Sequence, residues 1–252
     1  MNLQEAKFEY FLRLGDNSLI LGHRLSEWCG HGPVLEEDIA LINVALDLVG
    51  QSRTLLDAAG KIENKGRDED KLAYHRSANE FRNALLLEQE NGDFASTIVR
   101  QFFYDVYQFY FLNALKSCKD ELLAAYAEKS IKEVNYHLRH SSDWMLRLGD
   151  GTEESHERTQ QAVNELWMYI GDLFDMNEAD EVLIKEGIAV DLAPVKDKWK
   201  TKVMEVFEEA KLQLPESTYM QKGSKSGIHT EKLSYLLAEM QSIPRSMPEA
   251  IW

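Results

Sequence analysis

Apolar positions recur along this chain at helical rather than strand spacing. In the first segment, about 4–28, Phe8, Phe11, Leu12, Leu19 and Leu25 keep that spacing, the mark of an amphipathic helix. His31-Gly32-Pro33 breaks it. A second helix is predicted over about 36–59, with Ile39, Ile42, Leu46, Val49 and Leu56 as its apolar stripe. Glu36, Glu37 and Asp38 suit its positive N-terminal end, and Gly60 closes it.

Residues 61–76 are charged and polar and read as a loop. Ser77-Ala78-Asn79-Glu80 has the form of a capping box, which predicts a short helix to about Glu90. Asn91-Gly92-Asp93 interrupts the chain before an aromatic-rich helix over about 94–117 (Phe102, Phe103, Tyr104, Tyr107, Phe109, Tyr110, Phe111). Further helices are predicted over about 119–148 and 152–175, from the Asn177 cap to Lys185, and over 196–211 and 230–240. Residues 214–228 read as a loop. The hydrophobic tail ending Ile251-Trp252 is expected to pack on the bundle or on a partner, because an exposed terminal Trp is costly. The surplus of aromatics in the third helix suits a core and also an interface. No segment shows the period of two that a strand needs. The expectation is an all-α, ferritin-like antiparallel bundle. It forms a single domain over 1–252, with a core bundle at about 4–175 and a helical extension and tail at about 176–252.

Composition narrows the function. The chain has 252 residues, 44% hydrophobic and 28% charged, with a formal net charge of -15. So acidic a chain lacks the basic face that nucleic acid or an anionic membrane requires. Cys29 and Cys118 are far apart and form no metal or redox motif. The start, MNLQEAKFEYFLRLGD, lacks the basic-then-apolar order of a signal peptide, and no uninterrupted apolar run approaches a membrane span. A cytoplasmic location is expected. Leu-Arg-Leu-Gly-Asp occurs at 12–16 and again at 146–150 without a longer repeat around it.

Polar residues interrupt the apolar faces in register. The i, i+4, i+7, i+11 line of helix one is Asp16, Ile20, His23 and Glu27; that of helix two is Asn43, Asp47, Gly50 and Thr54. Helix three offers Arg100, Tyr104, Tyr107 and Phe111, and helix four Glu133, His137, His140 and Trp144. Inward carboxylates and histidines on four helices are how a bundle builds a di-iron centre, from one Glu on each of two helices and Glu-x-x-His on each of the others. Here the second helix has Asp47-x-x-Gly50, the fourth has Glu133-x-x-Tyr136 with His137 one place on, and the third has Arg100. About three of the six ligands are in place. Asp16, Asp47, Glu133 and His137 therefore read as a degenerate metal site, in which a salt-bridge and hydrogen-bond network takes the place of iron. The alternative is an active di-iron oxidase with an unusual ligand set that also uses Glu27 and His140. A ferritin-like storage protein would still need an iron-oxidising site.

Four stretches carry a family resemblance: LGDNSLILGHRLSEWCGHGPVLEEDIALINVALDLVGQSR (14–53), FRNALLLEQENGDFASTIVRQ (81–101), EVNYHLRHSSDWMLRLGDGTEESHERTQ (133–160) and GIHTEKLSYLLAEMQSIPRSMPEAIW (227–252). They resemble the C-subunit family of the bacterial ring 1,2-phenylacetyl-CoA epoxidases, multicomponent di-iron monooxygenases. The resemblance implies a ferritin-like fold and a structural, non-catalytic role in aerobic phenylacetate degradation. It implies a homologous catalytic A subunit that holds the iron, in a heterodimer and higher assemblies. It also implies a small B subunit, a reductase using NADPH with flavin and iron-sulfur groups, and phenylacetyl-CoA as substrate. No cofactor is then expected on this chain.

CoA is polyanionic, and helix starts offer free N–H groups to anions. Two such starts are candidate contacts: Arg76, Ser77, Ala78 and Asn79, where a guanidinium precedes a cap, and Asn177, Glu178 and Ala179, where acidic residues oppose an anion. On this reading Arg76→Ala weakens CoA-ester binding without weakening assembly. Lys222, Lys225 and His229 form a modestly basic cluster, read as a solvated loop.

Overall fold

Asn2 accepts a hydrogen bond from Glu5 N while the Glu5 carboxylate takes Asn2 N, a reciprocal cap that fixes the first turn. In the computed structural model, which describes residues 1–248, this begins α1 (Leu3–Ser26). The succeeding helices are α2 (Leu35–Glu63), α3 (Glu69–Tyr74), α4 (Phe94–Leu115), α5 (Glu121–Gly149) and α6 (Glu153–Leu166). After them come α7 (Ile170–Leu173), α8 (Glu178–Glu186), α9 (Leu192–Glu209), α10 (Glu231–Met240) and α11 (Ser242–Ser246). The described residues contain no strand. The Ile251-Trp252 expectation lies outside them.

Several boundaries differ from the sequence expectation. α2 runs through Gly60 and closes at Asn64 in the left-handed conformation. Gly60 is needed inside the helix, because a Cβ there would meet Arg67 O at 2.2 Å. The Ser77 capping box forms, but it opens only a 3-10 turn over Ala78–Glu80. Phe81 to Glu90 is irregular, held by contacts to other segments rather than by its own helix.

The contacts divide into two compact units. One comprises Met1–Glu90, Asn177–Leu183 and the described chain from Gly223 on; the other comprises Asn91–Met176 and Ile184–Lys222. In the first, α1 packs along α2 and is buried on nearly every side from Tyr10 to Gly22. Surrounded in this way, α1 must have its polar residues satisfied by protein groups. In the second, the aromatic face of α4 meets α9 and the 167–174 segment. Phe103, Trp167, Trp199 and Phe207 pack with ring centroids 5.7–6.1 Å apart, and Trp199 Nε1 donates to Phe103 O at 2.8 Å. Phe102, Phe103, Tyr104, Tyr107 and Phe111 are buried here and Phe109 and Tyr110 half-buried. These aromatics serve the core.

The stripe expected to bury α2 is a correction. Ile39, Leu46 and Val49 face outward, and the inward face is Leu41, Val44, Leu48, Leu55 and Leu56. α2 is apolar on both faces, so periodicity alone could not choose between them. By length and composition it is long and apolar enough to cross a membrane, with 50% of that stretch buried within the protein.

Candidate functional site: a buried charge network

Asp16 is fully buried on α1 and receives the Arg76 guanidinium on both oxygens, Nη1 at 2.9 Å and Nη2 closer still; Arg82 N adds a third donor at 2.8 Å. Arg76 also donates to Leu72 O and Glu80 O, and its guanidinium lies 4.0 Å from the centre of the Phe81 ring. Asn17 accepts from Ala84 N at 2.8 Å, and Arg24 donates to Glu88 O at 2.8 and 3.1 Å. The polar residues of α1 thereby replace the missing helix of segment 77–90.

Glu88, fully buried, accepts four hydrogen bonds: Asn83 Nδ2 at 2.9 Å, His229 Nδ1 at 2.7 Å, Thr230 N at 2.6 Å and Thr230 Oγ1 at 2.8 Å. The other ring nitrogen of His229 faces Phe81 O at 2.9 Å. With an acceptor at each nitrogen, the site favours the doubly protonated imidazolium form. Burial pushes its pKa down, but the Glu88 hydrogen bond and charge outweigh this and the net shift is upward. Asp180 shows the same balance. Burial would raise its carboxyl, yet Arg13 and then Lys225 hold it at about 2. Lys225 Nζ lies 2.7 Å from Asp180. The reading of Lys225 and His229 as a solvated loop is corrected: both side chains are buried ion-pair partners. Lys222 alone is exposed, against Asp175.

The second unit holds a different kind of acid. Asp105 on α4 accepts from Gln101 at 2.7 Å and from Ser141 at 2.8 Å. Burial drives its pKa up to about 7, with the His137 charge and the two hydrogen bonds opposing. His137 is buried on α5, Glu133 is half-buried, and His140 stacks on Tyr136. Arg100 Nη2 donates to Asn91 Oδ1 at 2.6 Å.

The degenerate-site candidates thus have separate fates. Asp16 sits in the Arg76 pair, and His137 lies near Asp105. The Asn43, Asp47, Gly50, Thr54 line of α2 does not face inward: Asp47 is half-buried and the other three are exposed. Glu27 is exposed and paired with Arg24. Among the described residues no group of three or more His, Cys, Asp or Glu is placed to hold a metal ion. A di-iron centre needs several ionised carboxylates with free lone pairs. Asp16 and Glu88 instead have both oxygens engaged by protein donors, so the residues present do not fit that group.

Sequence reading missed Glu88, Asp105, Arg13 and Arg24. A charged residue inside a long apolar helix such as α1 was the available signal for Arg13 and Arg24. Glu88, in irregular chain, offered none.

The CoA candidates also separate. The Arg76 guanidinium is 2% exposed and saturated by Asp16, Leu72 and Glu80, so it is not available to a surface ligand. Ser77 and Asn79 are exposed and Ala78 is half-exposed. Ser77 and Ala78 line a groove of about 310 Å³ with Ser234, Leu237, Gln241 and Arg245. At the Asn177 turn, Asn177 Oδ1 takes Ala179 N and Asp180 N, Asn177 N goes to Asp180, and Glu178 pairs with the amino terminus. Those donors are already satisfied.

Comparison with known proteins gives two findings. Residues 2–252 match the family model described as phenylacetic acid catabolic protein. The chain is 47% identical over 243 residues to the C subunit of the 1,2-phenylacetyl-CoA epoxidase of Escherichia coli (strain K12), covering 96% of this chain and 98% of that protein.

Proposed function

The chain belongs to the phenylacetic acid catabolic protein family, and from that premise we propose that it is the structural, non-catalytic subunit of a cytoplasmic multicomponent di-iron monooxygenase that epoxidises phenylacetyl-CoA. In this reading a homologous A subunit holds the iron and this chain stabilises it. A B subunit and an NADPH-dependent reductase with flavin and iron-sulfur groups complete the system. The observation that carries the non-catalytic role is the charge network: Asp16 and Glu88 are matched by Arg76 and His229, protein cations in place of metal. The expected outcome of metal analysis is iron well below one equivalent in the isolated chain, and iron tracking only the A subunit in the complex. Near two equivalents in the isolated chain would sink the reading and favour an oxidase.

We further propose that the chain's contact with CoA is made by the surface residues Ser77, Ala78 and Asn79 beside the Arg245 groove. The Asn177, Glu178 and Ala179 turn takes no part. Ala78→Glu places a carboxylate where a phosphate would sit. It should weaken CoA-ester binding by the assembled complex roughly tenfold, the size of one charged hydrogen bond lost, without changing the melting temperature of the chain. Unchanged affinity in a calorimetric titration would remove this contact from the proposal.

A further inference from the structure

One face of α2 is left uncovered by the described residues of its own chain. Leu35 is 71% exposed, Ile39 51%, Leu46 63% and Val49 38%, with Ile42 half-buried among them. The spacings along 35, 39, 42, 46 and 49 alternate between four and three residues. That is a heptad seam, the pattern that a second α-helix fills by seating its side chains between those of the first. Scattered exposed apolar residues need no explanation, but an aligned, contiguous set marks an interaction surface.

Gly50 supplies a second observation. It stands beside the seam in the middle of a 29-residue helix, where glycine is a poor helix former. A Cβ added there would meet nothing within 4 Å. No contact among the described residues therefore calls for glycine, whereas a neighbouring backbone approaching from outside would.

Charge identifies the kind of occupant. From Leu35 to Val49, α2 carries Glu36, Glu37, Asp38 and Asp47 and no Lys or Arg. A second copy of this chain would set these carboxylates against their own kind, and like charges across an interface are disfavoured. They equally disfavour an anionic membrane surface.

We propose that the outer face of α2 is the docking seam for an α-helix of another subunit, one with apolar residues at heptad spacing flanked by Lys or Arg. The inference rests on the reading of this chain as one subunit of a multicomponent enzyme. The seam is the face that recognises the partner, and Gly50 is where the two helices come closest.

The test uses the full-length chain co-expressed with the tagged A subunit and captured through the tag. Ile39→Glu combined with Leu46→Glu, and separately Gly50→Leu, should each cut co-capture at least tenfold. The isolated variants should melt no lower than the parent, since Ile39 and Leu46 are exposed and a side chain added at Gly50 meets nothing within 4 Å. Met204→Glu puts the same charge on an exposed apolar position of α9 (48% exposed) and should leave capture unchanged. Undiminished capture of the seam variants, or an equal loss with Met204→Glu, overturns the seam while leaving the subunit reading intact. Failure to capture the parent chain overturns the subunit reading itself. A dimer of the isolated chain that Leu46→Glu abolishes would overturn the proposal in favour of a second copy.

Discussion

Asp16 and Arg76 lie wholly inside the protein and satisfy each other. Removing one member leaves the other charged and unsolvated, which costs about 3–5 kcal/mol. Arg76→Ala should therefore lower the melting temperature by roughly 10 °C for a chain of this size. Replacing both residues together with apolar ones of similar volume should restore much of that loss. Thermal melts of the single and double variants check this, and a single variant that melts like the parent would remove the pair from the stability argument. The result also bears on Arg76 as a CoA contact: with Arg76 buried in this pair, its substitution should report on stability as well as on binding. The composition of the chain shows a cation near a cap, but only burial shows which carboxylate it serves. At the same scale Asp180 and Asp105 are both buried carboxylates. Arg13 and Lys225 hold the first at about 2, and the second, without such cations pairing with it directly, rises to about 7.

At the scale of elements, polar latches bind the segment from Gly223 through α11 to the 72–90 region, beside the buried Leu233, Leu236 and Leu237 of α10. Gln241 donates to Ala73 O and Arg76 O, Arg245 Nη2 reaches Arg76 O at 2.8 Å, and His229 and Thr230 bind Glu88. Gly227, at φ 74°, lies so close to Asn79 that a Cβ would meet its carbonyl oxygen at 2.1 Å. His229 makes this anchorage pH-dependent. Its folded pKa is raised, so its stabilisation is full below the ordinary histidine value and is lost as pH rises through the folded value. Glu88 and Asp16 favour the charged ring, and burial opposes it. Hydrogen exchange of α10 should accelerate as pH rises above the ordinary histidine value by more than the intrinsic rate increase. In His229→Gln this extra acceleration should disappear and α10 should exchange faster at neutral pH. A pH profile identical in both proteins would show that the latch carries no charge.

On the scale of the whole molecule, each compact unit has its own means of cohesion. In the first, α1 is enclosed and its polar groups are paired with segments distant in sequence; in the second, an aromatic core forms around α4. A net charge of -15 sets self-repulsion against association with its own kind. A partner with a cationic rim relieves that repulsion. This is why the apolar face of α2 and the acids beside it point to a different subunit rather than to a copy.

The sequence by itself determined the long helices, their order and most of their limits, because a 3.6-residue apolar period is local information; it did not show α3, which falls in a stretch that reads as a loop. Its spacings also led to the expectation of an incomplete di-iron ligand set, since ligand spacing on a helix is local as well. Through its resemblance it pointed to the family that the comparison then showed. Tertiary structure decided the rest. Which apolar face of α2 turns outward depends on where α1 packs, and periodicity treats two apolar faces alike. Segment 81–90 has no helix, because Asp16, Asn17 and Arg24 bind its backbone in place of helical hydrogen bonds. Lys225 and His229 looked like solvated cations because their carboxylates, Asp180 and Glu88, lie 45 and 141 residues away. A buried ion pair is made by the fold, and its members carry no mark of each other in the sequence.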